Sequence, residues 1–178
     1  PKGDGIEIEE TLDALSELVD EGLVKHVGLS NETPWGVMEY RRLASERGMA
    51  KVVSIQNEYN LLSRQFETGL AEMAIREEVG LLAYSPMAFG VLSGKYLDGK
   101  KPTGSRLELF ERFARYDSPQ SEAATIAYNK IAEKHGMTLA QMSLAFVCQQ
   151  PFVTSCLIGA TTMEQLRENI DAGDIELS

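Results

Sequence analysis

Two hydrophobic periods alternate along this chain, and that alternation is what most limits the folds open to it. Between Glu10 and Glu21, Leu12, Leu15, Leu18 and Val19 recur at helical spacing, and Gly22 follows where a helix commonly ends in a left-handed residue. His26–Asn31 alternates Val27 and Leu29 and predicts a strand. Thr33 and Pro34 predict an N-cap with proline at the first helical position, and Met38, Leu43 and Ala44 carry that helix to Gly48. The β-branched run Val52–Asn57 predicts a second strand. Phe66, Leu70, Met73 and Ala74 predict a third helix ending before Gly80, and Leu81–Ser85 predicts a third strand stopped by Pro86. From about Met87 to Pro119 the chain is rich in Gly, Lys, Pro and Arg and predicts one long loop; loops of that length are functional or disordered. Helical spacing resumes over Ser121–His135. Thr138 and Gln141 stand at capping-box spacing before another helix that stops at Pro151. Phe152–Ile158 predicts the fourth strand, and Thr161 with Glu164 predicts a second capping box opening a last helix near Asn169.

Strands separated by helices imply parallel βαβ units with right-handed crossovers. The C-terminal ends of these strands carry polar or small residues: Ser30 and Asn31, Gln56 and Asn57, Tyr84 and Ser85, and Gly159. In a (β/α)8 TIM barrel that end is the active face, and a closed barrel takes eight units over about 250 residues. The 178 residues therefore predict an α/β chain forming part of such a barrel, as a single domain over 1–178. Pro1 stands where a start methionine would, and the Gly-rich, charged segment Pro1–Gly5 reads as the interior of a longer protein.

Lys and Arg number 17 against 27 Asp and Glu, a formal net charge of −10. Such a surface excludes a general nucleic-acid binder or an anionic-membrane binder, and leaves room for a local positive pocket. No apolar run is long enough to span a bilayer and no signal peptide opens the chain, so the sequence reads as cytoplasmic. Cys148 and Cys156 form no CxxC or Cys/His cluster and read as two buried, reduced thiols. His26 reads as a strand-end residue and His135 as a partner for a helix C-terminus; with no third ligand in spacing, no metal site is expected. The acidic run Glu7–Glu10 reads as helix N-terminal charge bias. Phe110, Phe113 and Tyr116 predict a short amphipathic helix on the long loop.

Taken singly, the polar strand ends have plain structural readings. Ser30 and Asn31 suit a capping turn before Pro34, Gln56 a satisfied interior amide, and Tyr84 a core position. Lys95 and Arg106 suit solvated loop charges, and Gly159–Thr161 a strand-to-helix turn.

Together they form a pattern. Gly28–Asn31, Gln56–Tyr59, Tyr84–Pro86 with Gly90, Ser93–Tyr96 and Arg106, and Gly159–Thr161 with Gln165–Asn169 resemble the second half of aldo-keto reductases, in order and spacing, over essentially the whole chain. The details are most similar to the bacterial Tas-type branch, related to the β-subunits of voltage-gated potassium channels. The resemblance implies about the last four strand-helix units of a TIM barrel, with a long cofactor loop at about 86–119. It implies an NADPH-dependent oxidoreductase that interconverts aldehydes or ketones and alcohols, with a small-molecule carbonyl substrate and NADP(H) as cofactor.

In that scheme Ser30, Asn31 and Gln56 clamp the nicotinamide carboxamide, since side-chain amides offer both donor and acceptor. Tyr84 stacks on the nicotinamide ring. Ser85, Pro86, Met87, Gly90, Ser93 and Lys95 line the pyrophosphate. Gly159 ends a strand and Thr161 opens a helix, whose free N–H groups favour a phosphate. Thr161, Gln165 and Arg106 take the adenosine 2′-phosphate, favouring NADPH over NADH, and Glu168 and Asn169 meet the adenine. Two departures stand out. Ala160–Thr162 lacks the Lys or Arg that many relatives carry there, and Tyr84 stands where the channel subunits have Trp.

The family's catalytic Tyr, Lys, Asp and His belong to the first half of the barrel, so no catalytic residue is assigned here and the segment alone is expected to be inactive. Tyr59 and Tyr84 are not substitutes. The second expectation is a non-catalytic NADP(H)-binding regulatory subunit. A third is a partial chain whose two open sheet edges drive homo-oligomer formation or aggregation. The aromatic helix of the long loop would serve as a cofactor clasp or as cover for the barrel rim.

Overall fold

The computed structural model describes residues 7–110 and 115–178. Its regular elements run α1 (Ile8–Asp20), β1 (Val27–Ser30), α2 (Pro34–Arg47), β2 (Val52–Glu58), α3 (Leu70–Glu77), β3 (Gly80–Tyr84), α4 (Arg106–Leu109), α5 (Pro119–Lys134), α6 (Leu139–Cys148), β4 (Val153–Cys156) and α7 (Met163–Asp171). The four strands hydrogen-bond in sequence order, β1-β2-β3-β4. β1 and β2 run parallel, Val27 opposite Val52 and Ser30 opposite Gln56, with an irregularity between Val27 and Gly28. This is an α/β fold of the βαβ kind that alternating periods dictate.

The chain divides into two compact units. The first comprises the described residues through Asn57, with Phe66–Leu82. Its helices begin and end where local chemistry demands. The Thr33 hydroxyl accepts the Gly36 amide at 3.1 Å, Pro34 occupies the first helical position, and Gly48 closes α2 at φ 70°. Leu12, Val37, Leu43, Val52, Ile55, Phe66, Met73, Val79 and Leu81 are all buried. Buried Ser16 bonds back to the Leu12 carbonyl at 2.7 Å and accepts the Ala50 amide at 2.8 Å, tying α1 to the start of β2. Arg41 of α2 pairs with Glu77 of α3 at 2.9 Å. The third helix differs from the sequence expectation. Phe66 lies in a separate 3-10 turn, Gln65–Glu67, and Gly69 at φ 110° separates it from α3. An L-residue resists that backbone region, so the glycine sets the break.

The second unit comprises Glu58–Gln65 and Ala83–Ser178. One core cluster gathers Ala88, Val91, Leu92, Tyr116, Ala132, Leu139 and Met142. Beside it Tyr59 is fully buried, stacked on Phe146 at 5.7 Å and edge-on to Phe152 at 5.3 Å. The Ser118 hydroxyl caps α5 through the Ser121 amide. Thr138 and Gln141 make both bonds of the capping box on α6.

Three expectations are corrected by the structure. The long loop is not featureless: 3-10 turns span Ala88–Ser93 and Leu97–Gly99, and α4 follows. Of the aromatic segment, Phe110 closes α4 in an extended conformation and Tyr116 is buried in the core; the stretch between them, Phe113 included, lies outside the described residues. The cap of α7 is Thr162 rather than Thr161, and its hydroxyl accepts the Gln165 amide at 3.2 Å. Cys148 is exposed and Cys156 half-buried where both were expected to be buried, Cys148 because it is the last residue of α6; neither forms a disulfide. Among the described residues no helix is long and apolar enough to cross a membrane.

Candidate functional site

The site is built around the turn that leaves β3. Ser85, Ala88 and Phe89 adopt left-handed backbone at φ 53°, 46° and 57°, followed by Gly90 at 97°. Non-glycine residues in that region are strained, and such strain clusters at ligand-binding sites. Local bonds hold the turn: the Ala88 amide donates to the Ser85 carbonyl at 2.9 Å, and the Gly90 amide to the Met87 carbonyl at 2.8 Å. The Ser93 hydroxyl donates to the Gly90 carbonyl at 2.8 Å. Ala88 and Leu92, both wholly buried, anchor the turn in the core. Gly90 is required for its conformation, and a Cβ there would meet the flexible end of Lys95, Cε at 2.9 Å and Nζ at 3.0 Å, and push it aside. The Lys95 side chain thus crosses the face of Gly90, its ammonium 5.2 Å from the Tyr96 ring centre.

The opposite wall leaves β4. The Leu157 amide donates to the Ala83 carbonyl at 2.8 Å, and the chain then opens through Ile158 and Gly159 toward α7. The Gln165 amide oxygen reaches back to the Thr161 amide at 2.9 Å and the Thr161 hydroxyl at 3.1 Å, folding the first turn of α7 on itself. Buried Asn169 donates to the Gly159 carbonyl at 3.4 Å. Glu168 accepts the Thr138 hydroxyl at 2.6 Å.

Between these walls lies a cleft of about 430 Å³. Among the residues singled out from the sequence, Ser85, Pro86, Met87, Gly90, Ser93, Lys95, Arg106, Gly159, Thr161, Gln165, Glu168 and Asn169 all line it. Among the described residues its cations are Lys95 from the turn and Arg106 from the first position of α4, and its carboxylate is Glu168. A channel with two cations, a glycine face and a helix N-terminus has the chemistry to hold an elongated, polyphosphate-bearing anion.

Ser30, Asn31 and Gln56 belong to the first unit, where they adjoin one another. The Asn31 amide donates to the Gln56 carbonyl at 3.0 Å and its side chain to the Ser30 hydroxyl at 3.2 Å, with Asn31 left-handed at φ 55°. Tyr84 is the last residue of β3 and half-buried; its carbonyl accepts the Tyr59 amide at 3.3 Å.

Phe89, Ala140, Leu157 and Ile158 also line the cleft and were not singled out from the sequence as part of it, and Ala160 of the Gly159–Thr161 stretch lines it with them. Leu157 and Ile158 read there as the end of a strand, and Ala140 as part of a capped helix. Only the flanking position of Phe89 beside Gly90 carried a signal. A smaller cavity of about 270 Å³, lined by Tyr96, Leu107, Tyr116 and Pro119 among others, contains none of the predicted site residues.

The sequence profile of the Aldo/keto reductase family matches residues 2–178. The chain is 52% identical over 173 residues to the protein called tas of Escherichia coli (strain K12), covering 97% of this chain and 50% of that protein. It is 35% identical over 171 residues to L-glyceraldehyde 3-phosphate reductase of Escherichia coli (strain K12), covering 93% of this chain and 49% of the relative. It is 33% identical over 172 residues to a probable voltage-gated potassium channel subunit beta of Arabidopsis thaliana, covering 94% and 52%. The chain thus spans about half the length of these curated relatives. With the profile running from one end of the βα alternation to the other, the chain belongs to the aldo/keto reductase family.

Proposed function

We propose that this chain is the NADP(H)-gripping half of an aldo/keto reductase barrel, the last four strand-helix units of eight, and that the whole protein interconverts aldehydes or ketones and alcohols. The observation that carries the reading is the cleft, in which Lys95, Arg106 and the first turn of α7 meet on one surface.

The residues present fit the cofactor. Lys95 lies across the face of Gly90 and lines the cleft, so its ammonium group is placed against the turn where a diphosphate would need a counter-charge. Arg106 offers a planar guanidinium for the 2′-phosphate, a better geometric match than a point charge. Thr161 and Gln165 sit at the start of α7, where the positive end of the helix favours a phosphate, although their own amides are engaged by Gln165 Oε1 and Thr162 Oγ1. Because the Gln165 oxygen is already engaged by Thr161, its remaining hydrogen-bonding capacity is its NH2, a donor suited to an anion. Buried Asn169 and the half-buried Glu168 supply polar groups for an adenine edge. Ser30, Asn31 and Gln56 would hold the nicotinamide carboxamide, and Tyr84 would cover one face of its ring. NADPH, when bound, supplies the hydride; the protein orients it and excludes water from it. No proton donor is assigned to this chain, whose contribution is binding and orientation.

The test is calorimetric titration of the folded protein with NADPH, NADP⁺ and NADH. Saturable binding favouring the 2′-phosphorylated forms is expected. A folded protein that takes up no nicotinamide nucleotide overturns the reading.

A further inference from the structure

We infer that Glu58, Asn60, Arg115 and Tyr116 form a latch on the cleft-forming turn, and that the latch sets how long a dinucleotide stays bound. This rests on the cleft being the NADP(H) site.

The latch joins chain segments far apart in sequence. The Tyr116 hydroxyl, buried in the core, donates to Glu58 Oε1 at 2.6 Å and accepts from Asn60 Nδ2 at 3.0 Å. The same Asn60 NH2 donates to the Ser85 carbonyl at 3.0 Å. The orientation of Asn60 is fixed from its other end, because its Oδ1 accepts the Leu62 and Ser63 amides at 2.9 Å each. Asn60 is wholly buried, so each of these bonds costs its full desolvation when lost. Arg115 adds the second arm. It pairs with Glu58 at 3.1 Å, and its guanidinium lies 4.7 Å from the centre of the Phe89 ring. Phe89 and Tyr116 also contact ring to ring at 5.8 Å.

Both held points lie in the strained turn. Ser85 is left-handed and its carbonyl is gripped by Asn60; Phe89 is left-handed and its ring is gripped by Arg115 and Tyr116. Both line the cleft. A left-handed alanine, serine or phenylalanine persists only where its surroundings over-determine it. Local turn bonds exist in any such turn; what is particular here is a network centred on buried Asn60 and Tyr116 and joined to the partly exposed Glu58–Arg115 pair. The latch residues do not line the cleft, so they act through the turn as positioning residues and leave the ligand contacts to others.

Two readouts on the full-length protein test this. Hydrogen exchange of peptides covering Ser85–Gly94, in cofactor-free protein, reports the turn itself. Stopped-flow release of NADPH reports residence. Tyr116→Phe keeps the ring and removes the hydroxyl that donates to a carboxylate. It should speed exchange in that turn and NADPH release by about tenfold each, with exchange in α2 unchanged. Glu58→Gln, a second variant should Tyr116→Phe not fold, should act in the same direction. The pair combined should be little worse than either alone, because both break one network. Unchanged exchange in the turn overturns the latch, as does a loosened turn with unaltered release. A wild-type protein that binds no NADPH refutes the cleft assignment and, with it, any role in residence. That failure is visible before any variant is made.

Discussion

Thr138 opens α6 and donates its hydroxyl to Glu168 of α7 at 2.6 Å, while the same oxygen accepts the Gln141 amide at 3.1 Å. One side chain therefore both starts a helix and fixes a carboxylate on the cleft wall. Thr138→Ala should lower stability by about 1–2 kcal/mol, the range for a lost N-cap. Thr138→Ser should retain most of it, because the serine hydroxyl makes the same bonds. Chemical denaturation of the three proteins decides; equal stabilities would mean the cap contributes nothing.

Arg106 should discriminate between cofactors. Arg106→Ala is expected to weaken NADPH about tenfold, the loss of one charge-assisted contact at a partly solvated site, and to leave NADH nearly unchanged. Equal losses for both nucleotides would remove Arg106 from the 2′-phosphate.

Gly90 and Gly136 separate conformation from contact. Both have positive φ, 97° and 70°, but a Cβ at Gly136 meets nothing within 4 Å while one at Gly90 meets Lys95 at 2.9 Å. Gly136→Ala should cost about 1–2 kcal/mol for left-handed backbone alone. Gly90→Ala should cost about as much, because the atoms its Cβ meets are the flexible end of Lys95, which can move aside. It should weaken NADPH, unlike Gly136→Ala, by displacing the Lys95 ammonium. A clearly larger loss for Gly90→Ala in thermal unfolding would show that Lys95 is held in place.

Alkaline pH should destabilise the fold. Burial, then the neighbouring Cys148, pushes the Cys156 thiol above its ordinary 9.0; burial raises the Tyr116 phenol above 10.0. Both are acids held neutral in the folded protein, so their contribution is complete below the unfolded values. It is lost as pH rises past them and only the unfolded chain ionises. The urea midpoint should be flat through neutrality and fall above about pH 9. Cys156→Ser should remove the earlier part of the decline and Tyr116→Phe the later part. A midpoint that rises over this range would contradict both assignments.

Much of the architecture was legible because local chemistry decides it. Thr33 and Thr138 are helix starts in the structure as their side chains require, whereas α5 starts at Pro119 under a Ser118 cap, ahead of the helical spacing that marks it from Ser121. Helical and strand periods gave the order of elements, since core burial must follow them. The failures have equally local causes. Thr161 and Thr162 are chemically identical caps, and only the folded strand exit places Thr162 at the boundary. Gly69 broke a helix whose apolar spacing continued across it. The turn after β3 rests on left-handed Ser85, Ala88 and Phe89, residue types that announce no such conformation. Asn60 and Tyr116, 56 residues apart, meet through tertiary packing alone. The cleft residues were legible as a motif, whereas the network behind them had no pattern of its own.

The left-handed turn has a thermodynamic corollary for whatever enters the cleft. Its conformational entropy is surrendered when the protein folds, before any ligand arrives. Association there should then show little of the ordering penalty of a loop that condenses around its guest. Calorimetric traces should be governed by charge neutralisation and water release, and the order of events is scaffold first, occupant second.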